Sequence, residues 1–368
     1  MTVVEDFNFE DVVKKALNEA LKERGHVNIL IAGKTGVGKS TLVNAVFQGN
    51  FAITGQGRPV SKETREYKKE GIPLSIFDTR GLEMADFSET LRELETRVRE
   101  RNRSNDSNQH IHVAWVCISE GSRRVERGEE ELVKMLEDRN IPVIAVITKA
   151  NADKGFRTEV IKLLPTVRNA VRVRAIVEEL DGGIILPSMG LDDLVEVTRQ
   201  VVPEGVKRAF TAAQKIDIEL KKTQSRLIVT GAATSAAVMG AIPIPHSDAI
   251  AIVPIQVGML AGISATFGLS IDQSFITTII GSVIAGVGGT FAGRTIVASL
   301  LKMIPVAGSV AGGTIAGVTA ALLTTTIGEA YIRVLVMLFT QNNGEQPTPT
   351  QVADAFKKEC SQLAIRGN

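Results

Sequence analysis

The sequence predicts an α/β domain with a mostly parallel sheet and helices on both faces, followed by an all-α hydrophobic domain. Between Val27 and Val202, short apolar runs of strand length alternate with segments of helical period, which is the βαβ pattern of a parallel sheet. From Leu227 to Thr326 charge almost disappears, leaving Asp248, Asp272, Arg294 and Lys302 among Gly, Ala, Ile, Val and Thr. The 368 residues are too many for one ordinary domain and hold enough apolar material for two cores. The expected organisation is an amphipathic helix over 1–25, the α/β domain over 26–205, the helical domain over 206–340, and a linker with a terminal helix over 341–368.

Composition narrows the function classes. A net charge of +1 argues against a strongly basic nucleic-acid binder, and no nucleic-acid partner is expected. The 2 cysteines, Cys117 and Cys360, supply neither a disulfide framework nor a zinc cluster, so a reducing cytoplasm is the natural location. The opening residues MTVVEDFNFEDVVKK lack the basic start and apolar centre of a secretory signal.

In chain order, Phe9, Val13, Leu17 and Leu21 recur at helical spacing, with Asn8 as N-cap and Gly25 as stop. Mixed charge on the polar face, Lys15, Glu19, Lys22 and Glu23, favours packing on a neighbouring domain over lying on a membrane. The apolar run Val27 to Ala32 then leads into GKTGVGKST and a helix-like run from Leu42 to Phe47. Strand, glycine loop and helix in this order make a phosphate-binding loop. Gly33, Gly36 and Gly38 let the backbone turn so that the N–H groups of the whole loop, with Lys34, Thr35, Val37 and Thr41, cradle phosphates at a helix N-terminus. Lys39 reaches the β- and γ-phosphates, and Ser40 offers a hydroxyl to Mg²⁺. The side chains of Lys34 and Thr35 are expected to be solvated.

The polar segment Ala52 to Arg65 reads as a mobile loop, in which Thr64, with Ser61 behind it, is the candidate to join Mg²⁺. Strands over Glu66 to Glu70 and Leu74 to Phe77 flank a Gly71–Pro73 turn, and the second runs into Asp78-Thr79-Arg80-Gly81. Asp78 suits a carboxylate holding magnesium through water, and Gly81 a backbone N–H that senses the γ-phosphate. The expected catalytic set is therefore Lys39, Thr64, Asp78 and Gly81, with Ser40, Thr64 and Asp78 toward the metal.

In this order the motifs resemble those of the translation-factor-related GTPases, which run phosphate loop, switch threonine, DxxG and [NT]KxD. The match continues through the strands Ile111 to Ser119 and Pro142 to Ile147, the second ending in Thr148-Lys149-Ala150. A further strand, Ala170 to Arg174, leads to Ala175, placed like the alanine that these families set beneath the guanine. The resemblance spans about Val27 to Val202 and implies a P-loop GTPase domain binding GTP or GDP with Mg²⁺, Thr148, Lys149 and Ala175 facing the base. Gly36 at the fourth loop position resembles the septin-like and immunity-related (IRG) GTPases more than relatives with Asn there, so a potassium-activated mechanism loses its support. Helices over Ser88 to Arg101, Glu126 to Arg139, Phe156 to Leu164 and Leu191 to Val201 complete the domain; His112 and Trp115 read as core, and the runs Arg97 to Arg103 and Arg123 to Arg127 as solvated faces.

Two departures bear on mechanism. Leu82 follows Gly81 where the best-known small GTPases carry the water-orienting Gln, so intrinsic hydrolysis is expected to be slow. An Arg supplied in trans could restore about 10³ to 10⁵ in rate, and Arg80 and Arg58 are candidates. The base-reading motif has Asn151 where Asp is expected, and Asn would turn a donor toward the guanine amine. Asp153 lies two residues on, and relatives with TKAxxD wording imply a widened turn that brings it to the base.

Beyond Val206 a charged helix over Lys207 to Arg226 leads to apolar helices over Leu227 to Ala241, Ala249 to Leu269, Phe275 to Gly293 and Val306 to Ile327, punctuated by Pro243, Pro245 and Pro305. Small residues recur every four positions, at Gly281, Ala285, Gly289 and Gly293 and at Gly308, Gly312, Ala316 and Ala320, which lets helix backbones approach closely. Membrane-inserted hairpins and a buried soluble bundle both remain open readings, with membrane contact expected through 227–327 and the inner membrane as the associated location. The wording PIPHSDA, Pro243 to Ala249, followed by IVPIQVGMLAGI, resembles the YcjF-type domain that follows many bacterial GTPase domains. His246 and Asp248 there read as part of a helix-capping turn, with Ser247 or Asp248 as cap. After the polar linker NNGEQPTPT a short amphipathic helix, Gln351 to Leu363, ends the pattern. The expected function is a GTP-hydrolysing switch that dimerises in its nucleotide-bound state; a nucleotide-binding scaffold with negligible turnover and an ATP-using P-loop enzyme are the alternatives.

Overall fold

A computed structural model describes residues 9–51, 58–59, 64–79, 87–241, 248–286 and 313–366. The chain divides into two compact units, Gly25–Asp217 and the combination of Met1–Arg24 with Ile218–Asn368.

The first unit is a seven-stranded sheet flanked by helices. Its strands are β1 (Val27–Ala32), β2 (Arg58–Pro59), β3 (Thr64–Lys68), β4 (Leu74–Thr79), β5 (Val113–Ser119), β6 (Val143–Thr148) and β7 (Asn169–Arg172), in the order β2-β3-β4-β1-β5-β6-β7. Strands β4, β1, β5, β6 and β7 pair in parallel, while β3 and β2 add antiparallel at one edge. Between them run α2 (Lys39–Val46), α3 (Phe87–Asn102), α4 (Arg127–Glu137) and α5 (Phe156–Leu163), and a small hairpin, β8 (Glu178–Leu180) with β9 (Ile184–Leu186), precedes α6 (Leu191–Val201) and α7 (Lys207–Ala213).

Strand alternation sorts the core into two layers. Ile29, Ile31, Trp115, Cys117, Ile144 and Val146 pack with Leu42, Leu194 and Phe210 of α2, α6 and α7. Their neighbours Leu30, Ala32, Val116, Ile118 and Ile147 pack with Leu94, Leu132 and Val160 of α3, α4 and α5. The central strands β1, β5 and β6 are buried on both faces, as crossover helices require, which is why they read as largely apolar runs. Trp115 stacks on Phe47 at 5.5 Å and donates to Thr198 Oγ1 at 3.1 Å. His112 accepts from Asn28 N at 2.9 Å through Nδ1, leaving Nε2–H for Ser107 O at 3.0 Å, and burial pushes its pKa down. Both residues are core, as read from the sequence.

The second unit is helical: α1 (Phe9–Arg24), α8 (Ile218–Ala241), α9 (Asp248–Phe267), α10 (Gln273–Gly286), α11 (Gly313–Gln341) and α12 (Pro349–Arg366). Val13, Leu17, Phe267, Ile276, Tyr331, Phe339 and Phe356 share one core, so the amphipathic face of α1 is buried here. Ser264 Oγ and Tyr331 Oη hydrogen-bond at 2.7 Å, and buried Lys221 donates to Phe267 O at 3.0 Å, at the carboxyl end of α9, where a cation is favoured. Helices α8 and α11 approach so closely that a Cβ on Gly317 would lie 2.6 Å from Ala237 O.

Several boundaries differ from expectation. The helix expected over Lys207 to Arg226 is interrupted after Ala213, because the backbone there joins the end of α2: Gln48 N donates to Ala213 O at 3.1 Å and Lys215 N to Val46 O at 2.9 Å. Gln214 Oε1 then accepts from Ile216 N and Asp217 N, both at 2.7 Å, fixing the break. Helix α11 continues well beyond Ile327 to Gln341, and α12 is longer at both ends than the sequence suggested. Ser61, Arg80, Gly81, Leu82, His246, Ser247 and the small-residue positions Gly289, Gly293, Gly308 and Gly312 lie outside the described residues.

Candidate functional site

At the carboxyl end of β1 the chain turns through Gly33, Gly36 and Gly38 at φ 146°, 77° and 102°. The glycines serve two needs. At Gly36 and Gly38 a Cβ would meet nothing, so backbone angle alone asks for glycine; at Gly33 it would also fall 2.4 Å from Cys117 O on β5. Gly38 caps α2 without a side-chain hydrogen bond, which leaves the first N–H groups of the helix for an anion. Lys39 arches back over the loop, donating to Gly33 O at 2.7 Å and Lys34 O at 3.1 Å, with its Nζ 4.0 Å from Asp78 Oδ1.

Sheet pairing places Asp78 beside this loop, since Ile31 of β1 pairs with Asp78 of β4. Ser40, Lys39 and Asp78 line one pocket of about 260 Å³ together with Phe51 and Tyr67. Thr64 opens β3 opposite Thr79, one register step from Asp78. Lys34 departs from the solvated reading: it pairs with Glu126, the N-cap of α4, and this contact holds the Glu126 carboxyl below its usual range.

A second cleft, of about 410 Å³, runs from Gly38 and Thr41 to Thr148, Lys149 and Ala175. Lys149 takes a left-handed φ of 52°, and Ala150 N donates to Val173 O at 3.1 Å, which ties the TKA turn to the end of β7.

The next three residues are held from beneath by a network not anticipated from the sequence. Buried Glu120, just past β5, accepts from Asn151 N at 2.5 Å and Ala152 N at 2.8 Å, and pairs with Arg172 at 2.6 Å. Burial works against its charge, but Arg172 and the two N–H groups prevail and keep the carboxyl below its ordinary value. Arg123, expected on a solvated face, donates to the carbonyls of Ala152 and Asp153. Asp153, expected at the base, instead turns its carboxylate to α5: Oδ1 accepts from Arg157 N at 2.8 Å and lies 3.6 Å from Arg172 Nε. The available signal for Glu120 was its place at the carboxyl end of a central strand, where ligands of such sheets bind.

Phosphate loops set at the carboxyl end of a central parallel strand, with an aspartate on the neighbouring strand, mark the P-loop nucleotide-binding class. More narrowly, residues 28–149 match the 50S ribosome-binding GTPase family and residues 207–361 the Domain of unknown function (DUF697), so the chain carries a GTPase domain followed by a DUF697 domain. Over 77 residues it is 43% identical to the tRNA modification GTPase MnmE of Vesicomyosocius okutanii subsp. Calyptogena okutanii (strain HA), covering 20% of this chain and 17% of that protein. Over 92 residues it is 32% identical to magnetosome membrane protein 22 of Magnetospirillum gryphiswaldense, covering 25% of this chain and 47% of that protein. The chain thus spans less than half the length of either relative. A crystal structure of Era from Aquifex aeolicus aligns at 20% identity and a TM-score of 0.34, covering 58% of this chain and 68% of that one.

Proposed function

We propose that the chain is a GTP-binding and hydrolysing switch whose nucleotide state controls the helical domain. The observation that carries this reading is the phosphate loop, in which three positive-φ glycines, the open N-terminus of α2 and Lys39 converge beside Asp78. Lys39 would exchange its loop carbonyls for the β- and γ-phosphate oxygens. Magnesium fits the donor set, because the Ser40 hydroxyl and the Asp78 carboxylate line the same pocket and both are hard oxygen ligands. When bound, the ion neutralises charge building on the phosphates. Water attacks the γ-phosphorus, the bond to the β–γ bridging oxygen breaks, and inorganic phosphate leaves. Thr64, the first residue of β3, and Gly81 are the residues proposed to sense that loss, and Thr148, Lys149 and Ala175 to hold the base.

With Leu82 in place of a water-orienting Gln, turnover is slow in the monomer and rises when two copies meet through their nucleotide faces. The helical domain reads the switch at the cytoplasmic side of a membrane. Supporting lipid contact, α8 carries no charged residue from Leu227 to Ala241, and Leu227, Val238, Val318 and Leu322 are exposed. Thr230, Thr234, Ser235, Thr325 and Thr326 each donate to the carbonyl four residues earlier, so their hydroxyls need no water. Among the described residues one segment, Gly317–Gln341, is long and apolar enough to cross a membrane, with 61% of its most apolar window buried inside the unit, which favours partial over complete insertion.

Single-turnover GTP hydrolysis by the full chain, across a range of protein concentrations and with or without anionic vesicles, tests the reading. Activity per molecule should climb with concentration and vesicles should co-sediment the GTP-bound protein. Activity per molecule that stays flat would remove the dimer, absence of sedimentation would remove the membrane contact, negligible turnover would leave only a nucleotide-binding scaffold, and better competition by ATP than by GTP would remove the guanine assignment.

A further inference from the structure

The base end of the cleft contains a carboxylate that the GTPase motifs do not name. We propose that Glu178, at the start of β8, reads the Watson–Crick edge of the guanine, a role that rests on the nucleotide site proposed above. Guanine presents two donors there, the ring N1–H and the exocyclic amine, and both are satisfied together by the two oxygens of one carboxylate. Among the described residues lining the cleft that runs from the phosphate loop past Lys149 and Ala175, Glu178 is the carboxylate. Ile176, two residues before it, lines the same cleft and offers an apolar surface to a base face.

The motif residues are committed elsewhere. Asp153 accepts from the first turn of α5 and faces Arg172, while its carbonyl receives Arg123 and Phe156 N. Swinging the side chain to the base would strip the carboxylate of Arg157 N and Arg172. The backbone of Asn151 and Ala152 is fixed on Glu120, and an Asn side chain offers guanine one matched and one mismatched group. Glu178, by contrast, is half-buried on a short hairpin whose turn, Gly182 and Gly183 at φ 86° and 78°, returns the chain beside Leu186. Its strand begins three residues after Ala175, so the alanine beneath the base and the proposed reader come from one continuous segment.

The experiment measures dissociation constants of the full-length protein for GTP, xanthosine triphosphate and ATP, in wild type, Glu178→Gln and Asp153→Asn, with the thermal midpoint of each variant. Xanthine carries a carbonyl where guanine carries the amine, so Gln at 178 would match it with one acceptor and one donor. Glu178→Gln should weaken GTP roughly 10- to 100-fold and shift the GTP-to-xanthosine preference toward the latter. Asp153→Asn should lower the thermal midpoint and leave that preference unchanged. An unshifted preference in a folded Glu178→Gln protein, or a preference inverted by Asp153→Asn, overturns the assignment while leaving the GTPase reading intact. If Glu178→Gln does not fold, Glu178→Asp supplies the same readout through a shortened reach, with equal affinity loss for GTP and ATP counting against the proposal. Wild-type protein that binds none of the three nucleotides overturns both.

Discussion

The two ends of the proposed nucleotide cleft are built by different means. At the end proposed for the phosphates, nine contiguous residues supply the turn, the helix N-terminus, the lysine and the hydroxyl, and the donors they offer are mostly backbone N–H. At the base end, the walls come from the ends of β6 and β7 and from the β8–β9 hairpin, and their alignment depends on Glu120, Arg172 and Arg123 beneath. Backbone recognition constrains local sequence strongly, whereas side-chain recognition can be moved from one loop to another provided the acceptors reach the same point.

The largest effect is expected at the phosphate end. Lys39→Ala removes a charge that would meet two phosphates, and calorimetric titration should show affinity lower by about two decades with the sheet intact. Unchanged affinity would break the assignment of that end. Next, Gly33→Ala drives a Cβ against Cys117 O, a backbone atom that cannot turn aside. Urea unfolding should report a loss of about 2–3 kcal/mol, accompanied by weaker nucleotide binding.

At the base end, Glu120→Gln should lower stability by about 1–3 kcal/mol at neutral pH, since half-buried Arg172 and the N–H groups of Asn151 and Ala152 would face a weaker acceptor. Because the folded Glu120 carboxyl titrates below its unfolded value, its contribution is complete above the ordinary glutamate range and is lost as pH falls through the lower, folded value. The wild-type and Glu120→Gln melting curves should therefore converge on acidification; a constant gap down to pH 3 would remove the ion-pair argument. The smallest effect is expected in the helical unit, where Gly317→Ala places a Cβ 2.6 Å from Ala237 O. Helix propensity alone would stabilise this change by about 1 kcal/mol, so a net fall in the thermal midpoint of the α-helical signal isolates the clash. A rise would show that α8 and α11 part more easily than the strands around Gly33.

These contrasts parallel what could be read from residues alone. The five parallel strands, the phosphate loop and the place of Asp78 follow from period and spacing, because each is encoded within a dozen neighbouring residues. The interruption at Gln214 was hidden, since it depends on Gln48 and Val46 far back in the sequence. Glu120 is marked in the sequence only by its place at the carboxyl end of a central strand, and its partners Asn151 and Arg172 lie 31 and 52 residues away. The β8–β9 hairpin carries a local turn signal, Asp181-Gly182-Gly183 followed by the β-branched Ile184 and Ile185, although the Glu178-Glu179 pair hides its first strand.

The chain has a single tryptophan, and Trp115 lies fully buried in the middle of β5, stacked on Phe47 where α2 ends. Its fluorescence therefore reports on the α/β unit alone, with a blue-shifted band that moves to the red once water reaches β5. Far-ultraviolet circular dichroism draws much of its intensity from the long helices α8 to α12. The native sequence thus carries two optical channels, one for each unit, and denaturant midpoints that separate between them would reveal whether the halves melt together or in turn without any label being attached.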